Sequence, residues 1–370
     1  MARIGIDARK YFDFGIGTYI QQLVQAFGER VSIHNIVLFV APEESNAIQL
    51  PDGMSKVPVD YAKYSIREYV SYGRRVRSEH IELFHEPHYT LPAGLKGRSV
   101  VTIHDLIHLK FPQYFNAVQR AYARFMIRHA VNDSGAVIAV SQRTKEDIVE
   151  RLRISDERIH VIYNGVHRKF RKVDDSRALE QRKQRFRLER PFVLYVGGQK
   201  PHKNIGVLLK AFQEAQESFP DLELVFVGER LSEHKALADQ ARSLGIDSKV
   251  KDIGRLHGDE LVYLYNLAQV LVIPSLYEGF GLPALEAMAC GTPVVVSDRG
   301  SLPEIAGNGA LVFEAHRADA LADTLRQVFN DSTLRAGLIE RGLKQAERFS
   351  WNITAEQTLR VYESVISSKY

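Results

Sequence analysis

The stretch Pro274-Ser275-Leu276-Tyr277-Glu278-Gly279-Phe280-Gly281-Leu282-Pro283-Ala284-Leu285-Glu286 decides how this chain is read. Before it, Val270 to Ile273 is a short β-branched apolar run, the pattern of a buried parallel strand. After it, Ala284 to Ala289 predicts a helix, with Pro283 suited to its first position. The two glycines between them make a tight loop. Strand, glycine loop and helix start together present backbone N–H groups and the positive end of a helix dipole to an anion. Glu278 precedes the loop, and Glu286 lies inside the helix. An anion cradle flanked by two carboxylates suits a ligand with both phosphates and hydroxyls, and a nucleotide sugar is such a ligand. An ordinary βα turn with both glutamates in water would satisfy the same stretch, so the rest of the chain must discriminate.

Apolar runs alternate with longer helical patterns along the whole chain. The first half offers strands at Ile4–Ala8, Ile36–Val40, Ile81–His85, Val100–His104, Ala136–Val140 and Ile159–Tyr163. The second half offers Phe192–Val196, Leu222–Val227, Val250–Gly254, Val270–Ile273, Pro293–Ser297 and Ala310–Phe313. Strands alternating with helices predict parallel sheets with crossover helices. Two series of about six strands predict an α/β chain of two Rossmann-like, doubly wound domains. The break falls in the charged run His167 to Asp175 and the helix-prone, charged Arg177 to Arg190, with Pro191 opening a new buried strand.

The totals narrow the classes. With 370 residues, 45% hydrophobic and 25% charged, the chain is ordinary globular material, comfortable for two domains. No apolar run approaches a membrane span. Met1 to Asp7 runs straight into a strand pattern and shows no signal-peptide pattern, and Cys290 is the single cysteine. A reducing, cytoplasmic setting is the simplest reading. Cys290, at a helix end, reads as a small buried residue rather than a nucleophile. Residues 1–190 carry 31 Lys and Arg against 22 Asp and Glu, whereas residues 191–370 carry 18 against 23. The basic first half suits an acidic partner or peripheral contact with an anionic membrane face. Nucleic acid is not expected, because the basic linker has only Phe170 and Phe186 to stack on bases.

Several motifs fall at the carboxyl ends of strands, where open parallel sheets bind ligands. Gly15-Ile16-Gly17 follows the first strand and lets backbone approach a phosphate. It lacks the third glycine and the distal acid of a dinucleotide fingerprint. His85-Glu86-Pro87-His88 and His104-Asp105 end two further strands. They lack metal-ligand spacing, so His104 reads as a donor of a hydrogen bond to a sugar hydroxyl or leaving group. Tyr64 to Arg77 mixes aromatics with arginines, as a packed helix with a solvated basic face or as a surface for a membrane or acceptor. In the second half, Gly197-Gly198-Gln199-Lys200-Pro201-His202-Lys203 places ammonium groups for a pyrophosphate. Gly228-Glu229-Arg230 and Gly254-Arg255 end the next two strands. No Asp-x-Asp spacing occurs, so no metal or cofactor is expected, and lysine with helix dipoles would neutralise a diphosphate.

With these residues in place the chain resembles the retaining glycosyltransferases of family 4, which have the two-domain GT-B fold. The likeness rests on Glu278 to Glu286, followed by Ala287-Met288-Ala289-Cys290-Gly291-Thr292-Pro293-Val294-Val295. It extends to Gly300-Ser301-Leu302-Pro303-Glu304, Val140-Ser141, Tyr163-Asn164-Gly165-Val166 and Phe349-Ser350-Trp351. The resemblance implies two domains facing across a cleft. One is an acceptor-side domain, residues 1–168 completed by a returning helix 354–370. The other is a nucleotide-sugar domain, residues 169–353. By the same resemblance, Glu278 holds the donor sugar's hydroxyls and Glu286 the nucleotide ribose. Phe280, Gly281 and Leu282 turn N–H groups to phosphate and sugar, and Lys203 pairs with the diphosphate. Gly15 and Gly17 approach the diphosphate from the other domain, and His104 touches the donor sugar near an acceptor side that includes His85, His88 and Asp105.

Many relatives have an arginine where Gly198 stands. Lys200 or Arg255 would replace it, or the chain belongs to a branch with a Gly-x4-Lys-Asn loop. That branch, with Gly5-Ile6-Asp7-Ala8-Arg9 and Ile103-His104-Asp105-Leu106, resembles bacterial mannosyltransferases of O-antigen and capsule assembly. It implies GDP-mannose as donor and a glycan or lipid-linked acceptor. UDP-glucose or another nucleotide sugar, a GT-B epimerase or phosphorylase, and a non-catalytic binding subunit are the alternatives. For retention the acceptor attacks from the leaving-group face, and the leaving phosphate oxygen takes its proton. No protein base need stand out in the sequence.

Overall fold

The computed structural model describes residues 2–30, 34–256 and 258–368. Met1 of the expected first domain and residues 369–370 of the expected last helix lie outside them. The chain divides into two compact units. One comprises residues up to Gly165 together with those from Ser350 onward, and the other runs from Val166 to Phe349.

The first unit has seven strands among the described residues: β1 (Arg3–Asp7), β2 (Asn35–Val40), β3 (Ser55–Pro58), β4 (Leu83–Glu86), β5 (Ser99–Ile103), β6 (Ala136–Ala139) and β7 (Ile159–Val161). All pairs are parallel, in the order β3-β2-β1-β4-β5-β6-β7. Central strands are apolar on both faces because helices cover both, so Ile4, Ile6, Val37 and Leu38 are all fully buried. The sequence reading missed β3. Ser55-Lys56-Val57-Pro58 is an edge strand, half exposed, with a single strongly strand-forming residue. Edge strands pack on one side only and need no apolar run.

The first crossover helix is Ile16–Gly28, and Gly15 at φ +65° supplies the break in front of it. The segment Tyr64 to Arg77 is an irregular helix, with a π-helical turn over Glu68–Tyr72 leading into Gly73–Ser78. The last helix, Trp351–Ser367, begins three residues before the expected Thr354. Its N-cap Ser350 accepts a hydrogen bond from Asn352 N–H at 3.2 Å. The helix packs on Ile16–Gly28 and on β4 and β5, with Phe27 and Tyr362 rings 6.1 Å apart. A Cβ on Gly165 would lie 2.1 Å from the Trp351 nitrogen. Only glycine lets the end of the first sheet run against the backbone that returns to it.

The second unit has six strands among the described residues: β8 (Phe192–Gly197), β9 (Glu223–Gly228), β10 (Val250–Gly254), β11 (Val270–Ile273), β12 (Val294–Ser297) and β13 (Ala310–Phe313). They form a parallel sheet in the order β10-β9-β8-β11-β12-β13. The helices Ile205–Gln216 and Ala318–Asn330 pack together against it. Leu208, Leu209, Phe212, Leu321 and Leu325 are fully buried, each contributing roughly 1.5–3 kcal/mol of apolar burial.

In each unit the order of strands reverses once, between β1 and β4 and between β8 and β11. A reversal opens a crevice beyond the carboxyl ends of the two strands, because their following loops leave toward opposite faces. No helix among the described residues is long and apolar enough to cross a membrane.

Candidate functional site

The second unit's reversal carries the deciding stretch. β8 runs into Gly197 to Lys203, and β11 into Pro274 to Gly281. Leu276 N–H donates to the His202 carbonyl at 2.7 Å, joining the two loops. Asn204, in the left-handed conformation at φ 58°, donates from Nδ2 to the carbonyls of Pro274 at 3.0 Å and Ala315 at 2.7 Å. This amide locks the lysine loop to the sheet just before the helix that begins at Ile205.

Lys203 and Glu278, 75 residues apart, meet there. Lys203 Nζ donates to Glu278 Oε1 at 2.7 Å, and Ser275 Oγ donates to the same oxygen at 2.6 Å. Both charged side chains keep about a fifth of their surface exposed (21% and 18%). Burial alone would raise the Glu278 pKa. The Lys203 charge, its hydrogen bond, the Ser275 hydroxyl and the nearby His202 outweigh that effect and hold it below the ordinary value. Glu278 is therefore ionised at neutral pH, and among the described residues its Oε2 has no hydrogen-bond donor.

Gly300-Ser301 fixes the carboxylate's backbone. Ser301 N–H donates to the Glu278 carbonyl at 3.1 Å, and its Oγ reaches the Glu278 and Phe280 carbonyls at 3.1 and 2.8 Å. Gly300 has φ +63°, and a Cβ there would lie 2.7 Å from both Glu278 N and O. The loop then turns at Gly281 into the helix Leu282–Ala289, with Pro283 in its first turn and no side chain capping its N–H groups. The helix begins two residues before the expected Ala284, because Leu282 and Pro283 already have helical backbone. Phe280 is buried, with its ring 5.9 Å from Phe349.

Glu286 has a different environment. Tyr265 OH donates to its Oε2 at 2.8 Å. Burial pushes its pKa up to about 7, against the Tyr265 hydrogen bond and the Lys169 charge. The two glutamates thus stand at opposite ends of the carboxyl range, one ion-paired and one without a close cation. Cys290 is buried, and burial with the Glu286 charge pushes its thiol up to about 12. A thiol so disposed is not a nucleophile at neutral pH.

Around Gly198 the geometry answers one question left by the sequence. Tyr195 OH donates to the Gly198 carbonyl at 2.6 Å, and Gln199 N–H donates to Glu229 Oε2 at 2.8 Å. A Cβ on Gly198 would lie 3.2 Å from that same oxygen. Glu229, itself 3.5 Å from His234 Nε2, fills the space that faces Gly198. Lys200 is exposed ahead of the turn Pro201–Lys203, and Arg255 is exposed beyond β10 at the sheet edge. The ends of β10, β9, β8 and β11 lie side by side. Lys203 alone of the three expected cations meets Glu278.

The first unit departs further from expectation. His85 is wholly buried. Its Nε2 is 2.8 Å from Thr102 Oγ1, and its Nδ1 is 2.5 Å from Tyr362 OH. Burial, then the neighbouring His104, push its pKa down to about 3. With both nitrogens engaged, His85 fastens the last helix to the sheet and is not an acceptor-side group. His88 is also buried, its ring 3.8 Å from that of Tyr89. Asp105 spends Oδ1 on Ile107 N–H at 3.0 Å.

His104 sits at 3.0 Å from the Pro87 carbonyl through Nε2. A carbonyl only accepts, so Nε2 carries the proton. Burial pushes the His104 pKa down to about 4, against Asp105 and that hydrogen bond. The ring is neutral, and Nδ1 has a lone pair. With Nε2–H spent on the Pro87 carbonyl, the nitrogen left over is an acceptor and not the donor that the sequence reading expected. Gly15 is exposed with open space at its Cβ, whereas a Cβ on Gly17 would lie 2.4 Å from the Tyr11 carbonyl. Gly17 is required by packing within its own loop.

Sequence reasoning also missed a buried charge cluster at the ends of β1 and β4. Arg9 Nε donates to both Asp7 oxygens at 3.0 Å, and its Nη2 reaches Glu68 Oε1 at 2.7 Å. Its guanidinium lies 4.3 Å from the Tyr72 ring centre. Glu86 stands against Asp7, and burial with that neighbour raises its pKa well above the carboxylate range. The run Gly5-Ile6-Asp7-Ala8-Arg9 was the only signal in the sequence. Tyr265 had none, because it acts on Glu286, 21 residues away; Ser275 and Glu229 stood in quoted motifs, but the sequence assigned them no partner. No cluster of three or more His, Cys, Asp or Glu suited to a metal occurs among the described residues.

Residues 15–170 match Glycosyltransferase Family 4, and residues 176–345 match Glycosyl transferases group 1. The chain is 30% identical over 305 residues to the O-antigen chain mannosyltransferase B of Escherichia coli, covering 81% of this chain and 76% of that one. The chain belongs to glycosyltransferase family 4. It also matches longer relatives, of whose length it spans 35% to 36%. This family 4 glycosyltransferase has the GT-B fold. A sucrose-phosphate synthase from Thermosynechococcus elongatus superposes over 100% of both chains with a TM-score of 0.81 at 20% identity. The Anabaena protein HepE, solved with UDP-glucose, covers 98% of this chain and 100% of its own, with a TM-score of 0.80 at 18% identity.

Proposed function

We propose that this glycosyltransferase moves a hexose from a nucleotide-diphosphate sugar to a glycan or lipid-linked acceptor, with retention and without a metal. GDP-mannose is the leading donor, on the likeness to the O-antigen mannosyltransferase. The observation that carries the reading is the Lys203–Ser275–Glu278 node beside an uncapped helix start. Lys203 supplies a fixed cation, and the Gly281 and Leu282 N–H groups supply aligned dipoles. Both favour negative charge building on a leaving diphosphate. Glu278 holds the lysine through one oxygen and offers the other to a sugar hydroxyl. Glu286, backed by Tyr265, offers its carboxylate to the ribose hydroxyls.

On the first unit, His104 offers Nδ1 to a sugar hydroxyl. The acceptor hydroxyl attacks the anomeric carbon as the bond to the phosphate oxygen breaks, and that oxygen takes the acceptor's proton. The new glycosidic bond and the nucleoside diphosphate are the products. Neither Lys200 nor Arg255 is needed if Lys203 and the helix start neutralise the diphosphate.

The test incubates the protein with GDP-mannose, UDP-glucose and other nucleotide sugars and measures nucleotide release, with EDTA and with Mn²⁺. Release from GDP-mannose that persists in EDTA is the expected result. Release from UDP-glucose instead would transfer the donor assignment to the sugar bound in the Anabaena structure. Activity lost in EDTA and restored by Mn²⁺ would overturn the metal-free mechanism. Release from no donor with any acceptor would favour a non-catalytic binding subunit.

A further inference from the structure

The helix Ala117–Asp133 of the first unit buries Ala123, Met126, Ile127, Ala130 and Val131. Its solvent side is unusual. Arg120, Arg124 and Arg128 recur every four residues, which places them within an arc of about 80°. All three are exposed, and none has an ion pair or side-chain hydrogen bond among the described residues. The helix's only acid, Asp133, lies 3.3 Å from His129 Nδ1. Beside the arginines stand Phe125, 52% exposed, and Val118, 77% exposed.

The patch continues onto a second element. The rings of Phe125 and Tyr69 are 5.4 Å apart, which brings the segment Ile66 to Arg74 alongside. That segment exposes Ile66 by 84% and Val70 by 52%, with Arg67 and Arg74 also exposed. On the other side, a groove of about 820 Å³ runs between the helix and the segment His108 to Pro112.

We propose that this face docks the enzyme on an anionic lipid bilayer. Guanidinium groups without acidic partners match lipid phosphates. The exposed apolar side chains beside them can enter the boundary between headgroups and acyl chains. A soluble anion would use the arginines and leave Ile66, Val70, Val118 and Phe125 in water. An apolar protein partner would bury five guanidinium groups at a large desolvation cost. A negatively charged bilayer satisfies both kinds of group at once. The association is peripheral and weakens with salt.

The experiment sediments the full chain with vesicles of phosphatidylcholine, with and without phosphatidylglycerol, at low and high salt. Binding is expected only with phosphatidylglycerol and is expected to fall at high salt. Each arginine near such a surface changes partitioning by about five-fold, so R120Q/R124Q/R128Q should lose on the order of a hundred-fold. I66S/F125S should weaken binding while leaving its salt dependence in place. All these side chains are exposed, so unchanged thermal midpoints serve as the folding control. Equal binding by the triple variant and the original chain would overturn the proposal, as would no binding to either vesicle. Full competition by millimolar inorganic phosphate would overturn it in favour of a soluble-phosphate site. The readout does not depend on the donor assignment, because nucleotide release from a soluble donor should be unchanged in the triple variant.

Discussion

Glu286→Gln should stabilise the protein, and only above a definite pH. Burial raises the Glu286 pKa from an ordinary 4.5 to about 7. Below pH 4.5 the carboxyl is protonated in both folded and unfolded chains, and it has no effect. Between 4.5 and 7 the unfolded chain releases the proton while the folded chain keeps it. The folded state then binds more protons, so stability falls as pH rises. Above 7 both are ionised and the penalty is constant. The full shift corresponds to about 3 kcal/mol. The side chain is only partly buried, and water screening reduces this to about 2 kcal/mol.

Glutamine removes the titration but still accepts the Tyr265 hydroxyl at Oε1. E286Q should therefore lie within about 0.5 kcal/mol of the original chain at pH 5 and exceed it by about 2 kcal/mol at pH 8. For a unit of this size that is a rise of roughly 4–8 °C in thermal midpoint, read by calorimetry of the ligand-free protein at the two pH values. The same substitution should raise the donor KM, since the amide loses the charged acceptor offered to the ribose. A stability change equal at pH 5 and pH 8 would refute the burial argument. A pH-dependent gain with unchanged KM would leave that argument standing and remove Glu286 from the donor site.

Lys203→Ala and Glu278→Ala should each lower nucleotide release by about 10²- to 10³-fold. The double variant should fall short of additivity, because the two side chains are bonded to each other; original turnover in either single variant would dismiss the node. Gly300→Ala should cost about 3 kcal/mol, combining a left-handed backbone with a Cβ pressed on Glu278, and should also lower nucleotide release. Gly245→Ala is the matched control, with a similar φ of +69° and open space around it. Calorimetry showing equal losses in the two would mean that the contact with Glu278 carries no weight.

The sequence by itself determined the architecture. Central parallel strands are buried on both faces and must be apolar, so they announced themselves as short β-branched runs, and the edge strands β7, β10 and β13 kept enough of that pattern to be read. Among the described strands the edge strand Ser55–Pro58, with one valine between a lysine and a proline, escaped. The glutamate loop was equally legible, since a glycine turn between a buried strand and a helix start is a local pattern with a local cause. The tertiary structure alone decided what each side chain does. Glu278 and Glu286 look alike in the chain, eight residues apart. They separate because Lys203 arrives from 75 residues away to hold one ionised, while the other meets Tyr265 and no close cation. His85 and His104 both end strands, yet one is sealed between Thr102 and Tyr362, and the other has no partner for Nδ1 among the described residues. Charge state and accessibility are set by neighbours that long-range folding supplies, and local pattern carries no record of them.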